Sequence, residues 1–198
     1  VIDSFINSSP KSINCILKIL KKEGYDYEKN LHFFNIDLKN EKKIEDVFKL
    51  AFDRKKSIEA VIHFAGLKSV SESIHNPLSY WENNVVGTIN LLKVMERFHC
   101  KTFVFSSSAT VYKANSEKLL KEDDICIPIN PYGYTKLTIE NILRDLYNSD
   151  SSHWRIASLR YFNPVGAHYS GLIGEDPLGK PNNIYPQITK VAIGKLDE

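Results

Sequence analysis

Apolar and polar positions change period repeatedly along this chain, and each change marks an element. Ile13, Ile16, Leu17 and Leu20 recur at helical spacing, with Gly24 placed to stop the helix. His32 to Ile36 reads as a short strand ending at Asp37. Asn40 can then cap a helix with Ile44, Val47, Phe48 and Ala51 on one face. Ile58 to Phe64 is an apolar strand running into Ala65-Gly66. Asn76-Pro77 supplies a cap and a first-turn proline for a long helix with Leu78, Trp81, Val85, Thr88, Leu92 and Met95 in one stripe. Thr102 to Phe105 is the next strand, which Ser106-Ser107-Ser108 are expected to break. A helix carrying Tyr132 and Lys136 continues through Ile139, Leu143 and Leu146, and a strand follows from Ile156 to Phe162. Beyond Asn163-Pro164 the chain turns rich in Gly and Pro, as loops do. Strands alternating with helices predict an α/β fold around a parallel sheet.

In such a sheet, ligands bind beyond the carboxyl ends of the strands. Asp3, Asp37, Ala65-Gly66, Ser106 to Ser108 and Tyr161-Phe162-Asn163 all fall at those ends. Downstream, Tyr132 and Lys136 are four residues apart, hence on one helical face about a turn apart. An ammonium roughly 4 Å from a phenol is worth about 4 kcal/mol at an effective dielectric near 20. That equals roughly three pKa units, which predicts a Tyr132 phenol drawn down toward neutrality and able to act as a base. A serine hydroxyl at the strand edge could relay a proton between substrate and Tyr132.

Composition removes several function classes. The chain has 198 residues, enough for a large core, with 42% hydrophobic and 25% charged residues. Twenty-six Lys and Arg against 24 Asp and Glu leave +2, which argues for neither a nucleic acid nor a membrane partner. No apolar run is long enough to cross a bilayer. Cys15, Cys100 and Cys126 lack metal spacing, as do the six histidines, so no metal site is expected and reduced thiols in a cytoplasmic protein are. Val1-Ile2-Asp3 reads as the tail of a buried strand without a leading Met, and the last residues stop without a helix cap. An internal piece of a longer protein is the expectation.

Specific strings carry a resemblance. Val61-Ile62-His63-Phe64-Ala65-Gly66-Leu67-Lys68, Phe105-Ser106-Ser107-Ser108-Ala109-Thr110-Val111-Tyr112, Asn130-Pro131-Tyr132-Gly133-Tyr134-Thr135-Lys136 and Leu159-Arg160-Tyr161-Phe162-Asn163-Pro164-Val165-Gly166-Ala167-His168 are the main ones. Gly174-Glu175-Asp176-Pro177 and Pro181-Asn182-Asn183-Ile184 complete the set. The chain resembles the extended short-chain dehydrogenase/reductase family and, within it, the UDP-glucose (UDP-galactose) 4-epimerases. The resemblance implies a Rossmann-like doubly wound parallel sheet truncated at both ends, lacking the first strand and its Gly-rich turn. It implies an NAD-binding domain over 1–162 and the start of a substrate region over 163–198. It further implies an isomerase of galactose metabolism that interconverts UDP-galactose and UDP-glucose through a 4-keto sugar, a homodimer when intact, with the fragment alone inactive. Another nucleotide-sugar epimerase or oxidoreductase, or a nucleotide-binding module without turnover, is the alternative.

The same resemblance implies residue roles. Tyr132, Lys136 and Ser108 would be catalytic. NAD would meet Asp3, Asn7, Ser8, Asp37, Leu38, Phe64, Ala65, Gly66, Lys68, Asn83, Ser106, Tyr132, Lys136, Tyr161 and Phe162. The UDP-sugar would meet Ser108, Tyr132, Asn163, Asn183 and Ile184. Sugar-nucleotide 4,6-dehydratases carry an Asp-Glu pair where this chain has Ala109-Thr110, and neither residue here is an acid or base near pH 7. Lys113 and Ser71 stand where the family usually has glycine. A left-handed backbone at Lys113 would cost roughly 1–2 kcal/mol.

Overall fold

The computed structural model describes residues 1–26, 31–113, 119–175 and 183–196. In chain order it runs β1 (Ile2–Asp3), α1 (Lys11–Lys22), β2 (Phe34–Asn35), α2 (Glu41–Asp53), β3 (Ala60–His63), α3 (Val70–His75) and α4 (Pro77–Tyr80). A π-helical turn (Trp81–Val86) leads into α5 (Gly87–Arg97), followed by β4 (Thr102–Ser108) and a 3₁₀ turn (Ala109–Val111). Then come α6 (Pro131–Ser149), β5 (Arg155–Tyr161) and α7 (Ile184–Ala192). The architecture is α/β with parallel sheets and flanking helices.

Two compact units divide the chain. Residues 1–35 and 163–198 form one, and residues 36–162 the other. In the first, β1 and β2 pair in parallel, Ile2 opposite Phe34 and Asp3 opposite Asn35. Helix α1 ends as its sequence predicts, with Gly24 at φ +81.

In the second unit, β3, β4 and β5 form a parallel sheet in that order. His63 is opposite Phe105, and Ser108 is opposite Tyr161. Strand β4 is the middle strand, and Phe103 and Phe105 on it are fully buried. They join Ile44 and Phe48 of α2, Leu91, Leu92, Val94 and Met95 of α5, Ile139 and Leu143 of α6, and Trp154 in one apolar core. Asn40 caps α2 by accepting from Lys43 N–H at 3.1 Å.

Four details depart from the pattern read along the sequence. The serines do not break β4, which runs through Ser108. Leu78 is 81% exposed and Trp81 is also exposed, so the α4–α5 stripe turns to the core only from Val85 onward. Helix α3 was not anticipated, although Ser69 and Glu72 carry the spacing of an N-terminal cap and Ser69 accepts from Glu72 N–H at 3.3 Å. Lastly, the non-glycine residues with positive φ among those described are Phe5, Lys55 and His99. Lys113 therefore sits on ordinary backbone without the expected strain, and Ser71 lies inside α3.

Candidate active site

Helix α6 brings three polar side chains to the carboxyl end of β4. Asn130 caps it, accepting from Gly133 N–H at 2.8 Å, and Pro131 occupies its first turn. Tyr132, Lys136 and Glu140 then follow at intervals of four, each less than a tenth exposed. Gly133 permits the close approach. A Cβ there would lie 2.5 Å from the Thr110 carbonyl oxygen and 3.0 Å from Pro128 Cβ.

Each of the three serines closing β4 meets a different residue of α6. The Ser106 carbonyl accepts from Lys136 Nζ at 2.8 Å, while its own hydroxyl donates to the His63 carbonyl at 2.8 Å. Ser107 donates to Glu140 Oε1 at 2.5 Å. Ser108 lies beside the Tyr132 phenol, near enough to favour its ionised form. Ser108 Oγ also accepts from Thr110 N–H at 3.2 Å and from Thr110 Oγ1 at 2.9 Å. With Thr110 donating to it twice, Ser108 keeps its own proton free to donate. This explains why the strand continues. Serine hydroxyls disrupt a ladder when they bond their own backbone, and here Ser106 and Ser107 find partners 43 and 33 residues away.

The electrostatics correct one expectation. Burial pulls the Lys136 ammonium down to about 8. Its Nζ lies 4.9 Å from the Phe105 ring centre and 5.8 Å from that of Tyr132. The Tyr132 phenol is raised, not lowered: burial pushes it up, and the Ser108 hydroxyl pulls only part of the way back. Desolvation of the phenolate outweighs what Ser108 contributes. Tyr80, edge-on to Tyr132 at 6.4 Å and 80°, is raised further by burial and by its hydrogen bond to Glu72.

His63 is buried behind this cluster and pulled down to about 3, first by burial and then by Lys136. Thr88 Oγ1 donates to the Asn84 carbonyl at 2.5 Å, so it must accept from His63 Nε2 at 2.8 Å. That assigns the proton of neutral His63 to Nε2.

Asn84 is a site residue that the sequence did not single out. Its Oδ1 accepts from Leu67 N–H at 2.8 Å, and its Nδ2 donates to the Leu67 carbonyl at 3.0 Å and to Thr135 Oγ1 at 3.1 Å. Gly66, at φ +145, has no room for a Cβ, which would stand 2.9 Å from Asn84 Oδ1. The expected Asn83 instead donates to the Ser79 carbonyl at 2.8 Å. Both lie in the π turn, whose wider spacing changes which side chain faces the loop.

The other expected ligand residues fall on both units. In residues 36–162, Phe64 is exposed and its ring centre lies 6.4 Å from that of Tyr161. Ala65, Lys68 and Phe162 are exposed at the same strand ends. Asp37 accepts from Lys39 N–H at 2.8 Å, and Leu38 packs where a Gly87 side chain would be. In the other unit, Asp3 accepts from Phe5 N–H at 2.7 Å and from Ser8 Oγ at 2.9 Å. Asn7, Asn163 and Ile184 are exposed there, and Asn183 donates to Glu175 at 3.0 Å. Asp176, Pro177, Pro181 and Asn182 lie outside the described residues. Among the described residues, no group of three or more His, Cys, Asp or Glu is placed to hold a metal, and no helix is long and apolar enough to cross a membrane.

Comparison with known proteins places this arrangement. The family model described as GDP-mannose 4,6 dehydratase matches residues 2–198. The chain belongs to that family. Within it, the chain is 48% identical over 195 residues to UDP-glucose 4-epimerase 2 of Arabidopsis thaliana, covering 98% of this chain and 53% of that protein. It is 46% identical to UDP-glucose 4-epimerase of Bacillus subtilis, covering 100% and 55%. The solved UDP-glucose 4-epimerase of Bifidobacterium longum, in complex with NAD+ and UDP, superposes with a TM-score of 0.87 at 44% identity, over 100% of this chain and 55% of that one. The chain thus spans about half the length of the curated relatives it matches.

Proposed function

We propose that the intact protein containing this chain is an NAD-dependent UDP-sugar 4-epimerase, interconverting UDP-galactose and UDP-glucose through a 4-keto sugar. The observation that carries the reading is the Ser108–Tyr132–Lys136 cluster at the carboxyl end of β4, followed by Ala109 and Thr110. The family takes its name from a dehydration, which needs an acid and a base at those two positions. A methyl and a hydroxyl cannot eliminate water, whereas epimerisation asks the side chains only to take and return the 4-hydroxyl proton, the hydride at C4 being the cofactor's to carry.

The residues suit NAD. The exposed Phe64 and Tyr161 rings form an apolar shelf for a flat ring, and the Gly66 backbone lies open where a side chain is forbidden. Phe64, Ala65, Gly66, Lys68, Ser106, Lys136, Tyr161 and Phe162 would hold the nicotinamide half, with Asn83 nearby. Asp37 and Leu38 would border the adenine, and Asp3, Asn7 and Ser8 would grip the adenosine ribose. When bound, NAD accepts and returns a hydride at the sugar carbon.

The chain's own residues manage the proton. Ser108, oriented by Thr110, donates toward Tyr132 Oη and can pass the sugar hydroxyl proton to it. Lys136, anchored on the Ser106 carbonyl, keeps a cation beside the phenol as it ionises. Asn163, Asn183 and Ile184 would hold the nucleotide end of the UDP-sugar. The protein is further proposed to be cytoplasmic, to serve galactose metabolism, and to bind no nucleic acid. Pairing as a homodimer through the helices beginning at Pro77 and Pro131 is supported by exposed Leu78 and Trp81.

The test supplies the intact protein with UDP-galactose and no added NAD, and follows UDP-glucose. Turnover that drops by about 10²–10⁴-fold in Tyr132→Phe supports the proposal. Tight binding of UDP-galactose without conversion refutes it and makes the protein a nucleotide-binding module.

A further inference from the structure

Beyond Tyr132 and Lys136, α6 presents a third side chain on the same face, and no role in proton transfer explains it. Glu140 is 6% exposed. Both its oxygens are taken: Arg160 Nε donates to Oε1 at 3.0 Å, Arg160 Nη2 to Oε2 at 2.8 Å, and Ser107 Oγ to Oε1 at 2.5 Å. Arg160 lies on β5, and its Nη1 donates to Tyr112 Oη at 2.7 Å and to the Glu122 carbonyl at 2.9 Å. Its guanidinium also stands 4.8 Å from the Tyr112 ring centre. One buried ion pair therefore ties α6 to β4, to β5 and to the residue that closes the 3₁₀ turn carrying Thr110.

An apolar helix face can slide or roll on a sheet with little change in buried area. A two-pronged carboxylate–guanidinium contact cannot, because its bonds are directional. Ser107, the serine held by Glu140, stands between Ser106, which anchors Lys136, and Ser108, which orients Tyr132. The pair also balances its own charge. Without Arg160, a buried carboxylate one helical turn from Lys136 would favour protons on Lys136 and on the Tyr132 phenol.

We propose that Glu140, clamped by Arg160 and Ser107, is a positioning residue that fixes α6 against β4 so that Tyr132 and Lys136 meet Ser108 and Ser106. The proposal rests on the epimerase reading of that site.

The experiment measures kcat, KM, the pH profile of kcat and thermal melting for Glu140→Gln, Arg160→Met, Arg160→Lys and the Glu140→Gln/Arg160→Met double variant of the intact protein. Arg160→Met is expected to lower kcat by about tenfold or more with KM little changed, and to move the acidic limb of the profile upward by about one unit. Arg160→Lys keeps the charge and loses the fork, so kcat falls while the limb stays. The double variant loses kcat too, with its limb back near the parent's. The proposal is overturned if kcat falls only in step with the folded fraction, or if the limb stays put in Arg160→Met. Should the parent lack turnover, the epimerase reading fails by itself. The clamp is then read from the Tyr132 phenol, titrated by ultraviolet difference against Tyr132→Phe counterparts, and Arg160→Met must still raise it.

Discussion

Lys101 and Lys136 stand near opposite ends of β4, and their surroundings differ in kind. Lys101 precedes the strand and pairs with Asp150 Oδ2 at 2.5 Å; His153 Nδ1 reaches the other oxygen at 2.7 Å. These groups line an open groove of about 610 Å³ with His99 and Arg155, and their hydrogen bonds hold the Asp150 carboxyl well below its usual range. At the other end, Lys136 is 5% exposed and faces a carbonyl oxygen and two aromatic rings, with burial pulling it down to about 8. The first cation is stabilised where it sits and fastens α6 to the sheet. The second is held at a cost in desolvation, which accords with its proposed place beside a phenol that ionises.

The largest test of this contrast is to remove each cation. Lys136→Met should lower the turnover of the intact protein by about 10² or more while leaving melting at pH 7 unchanged or raised, since a desolvated charge has gone. Equal activity of Lys136→Met and parent would end the assignment. Lys101→Met should do the reverse, keeping turnover and lowering the melting temperature by a few degrees, less so at high salt.

Gly133→Ala comes next. A methyl 2.5 Å from the Thr110 carbonyl must push α6 away from the turn, costing about 1–3 kcal/mol in denaturant unfolding. An unchanged midpoint would show that the approach is not tight.

Titration offers a further test. Because Lys136 binds its proton more weakly in the folded chain, the unfolded chain holds more protons between about pH 8 and the ordinary 10.5. Stability should therefore rise with pH across that window, and Lys136→Met should lack the rise. Asp150 gives the same upward slope in a more acidic window, but there a favourable contribution, present above the ordinary 3.8, is lost as pH falls below it. Acid unfolding of Asp150→Asn should lack that loss.

What the sequence allowed to be read, and what it did not, follows the same division between near and far. Asn40 announces its helix because a cap acts within three residues, and the Tyr132–Lys136 spacing is a property of one helix. The serines of β4 suggest a break in sequence but continue the strand, because their partners, Glu140 and the His63 carbonyl, are brought by tertiary packing. The proton affinity of Tyr132 depends on how much water the whole fold removes, which the local spacing of two residues does not contain. Asn84 escaped notice because a π turn leaves no simple period.

Thr110 Oγ1 and N–H both donate to Ser108 Oγ, and this gives the serine a handedness in time. A free hydroxyl rotor samples several orientations, whereas this one is locked before any substrate arrives. Replacing Thr110 by valine keeps its shape and its N–H but removes one of the two donors, so the hydroxyl would be held by a single bond and sample more orientations.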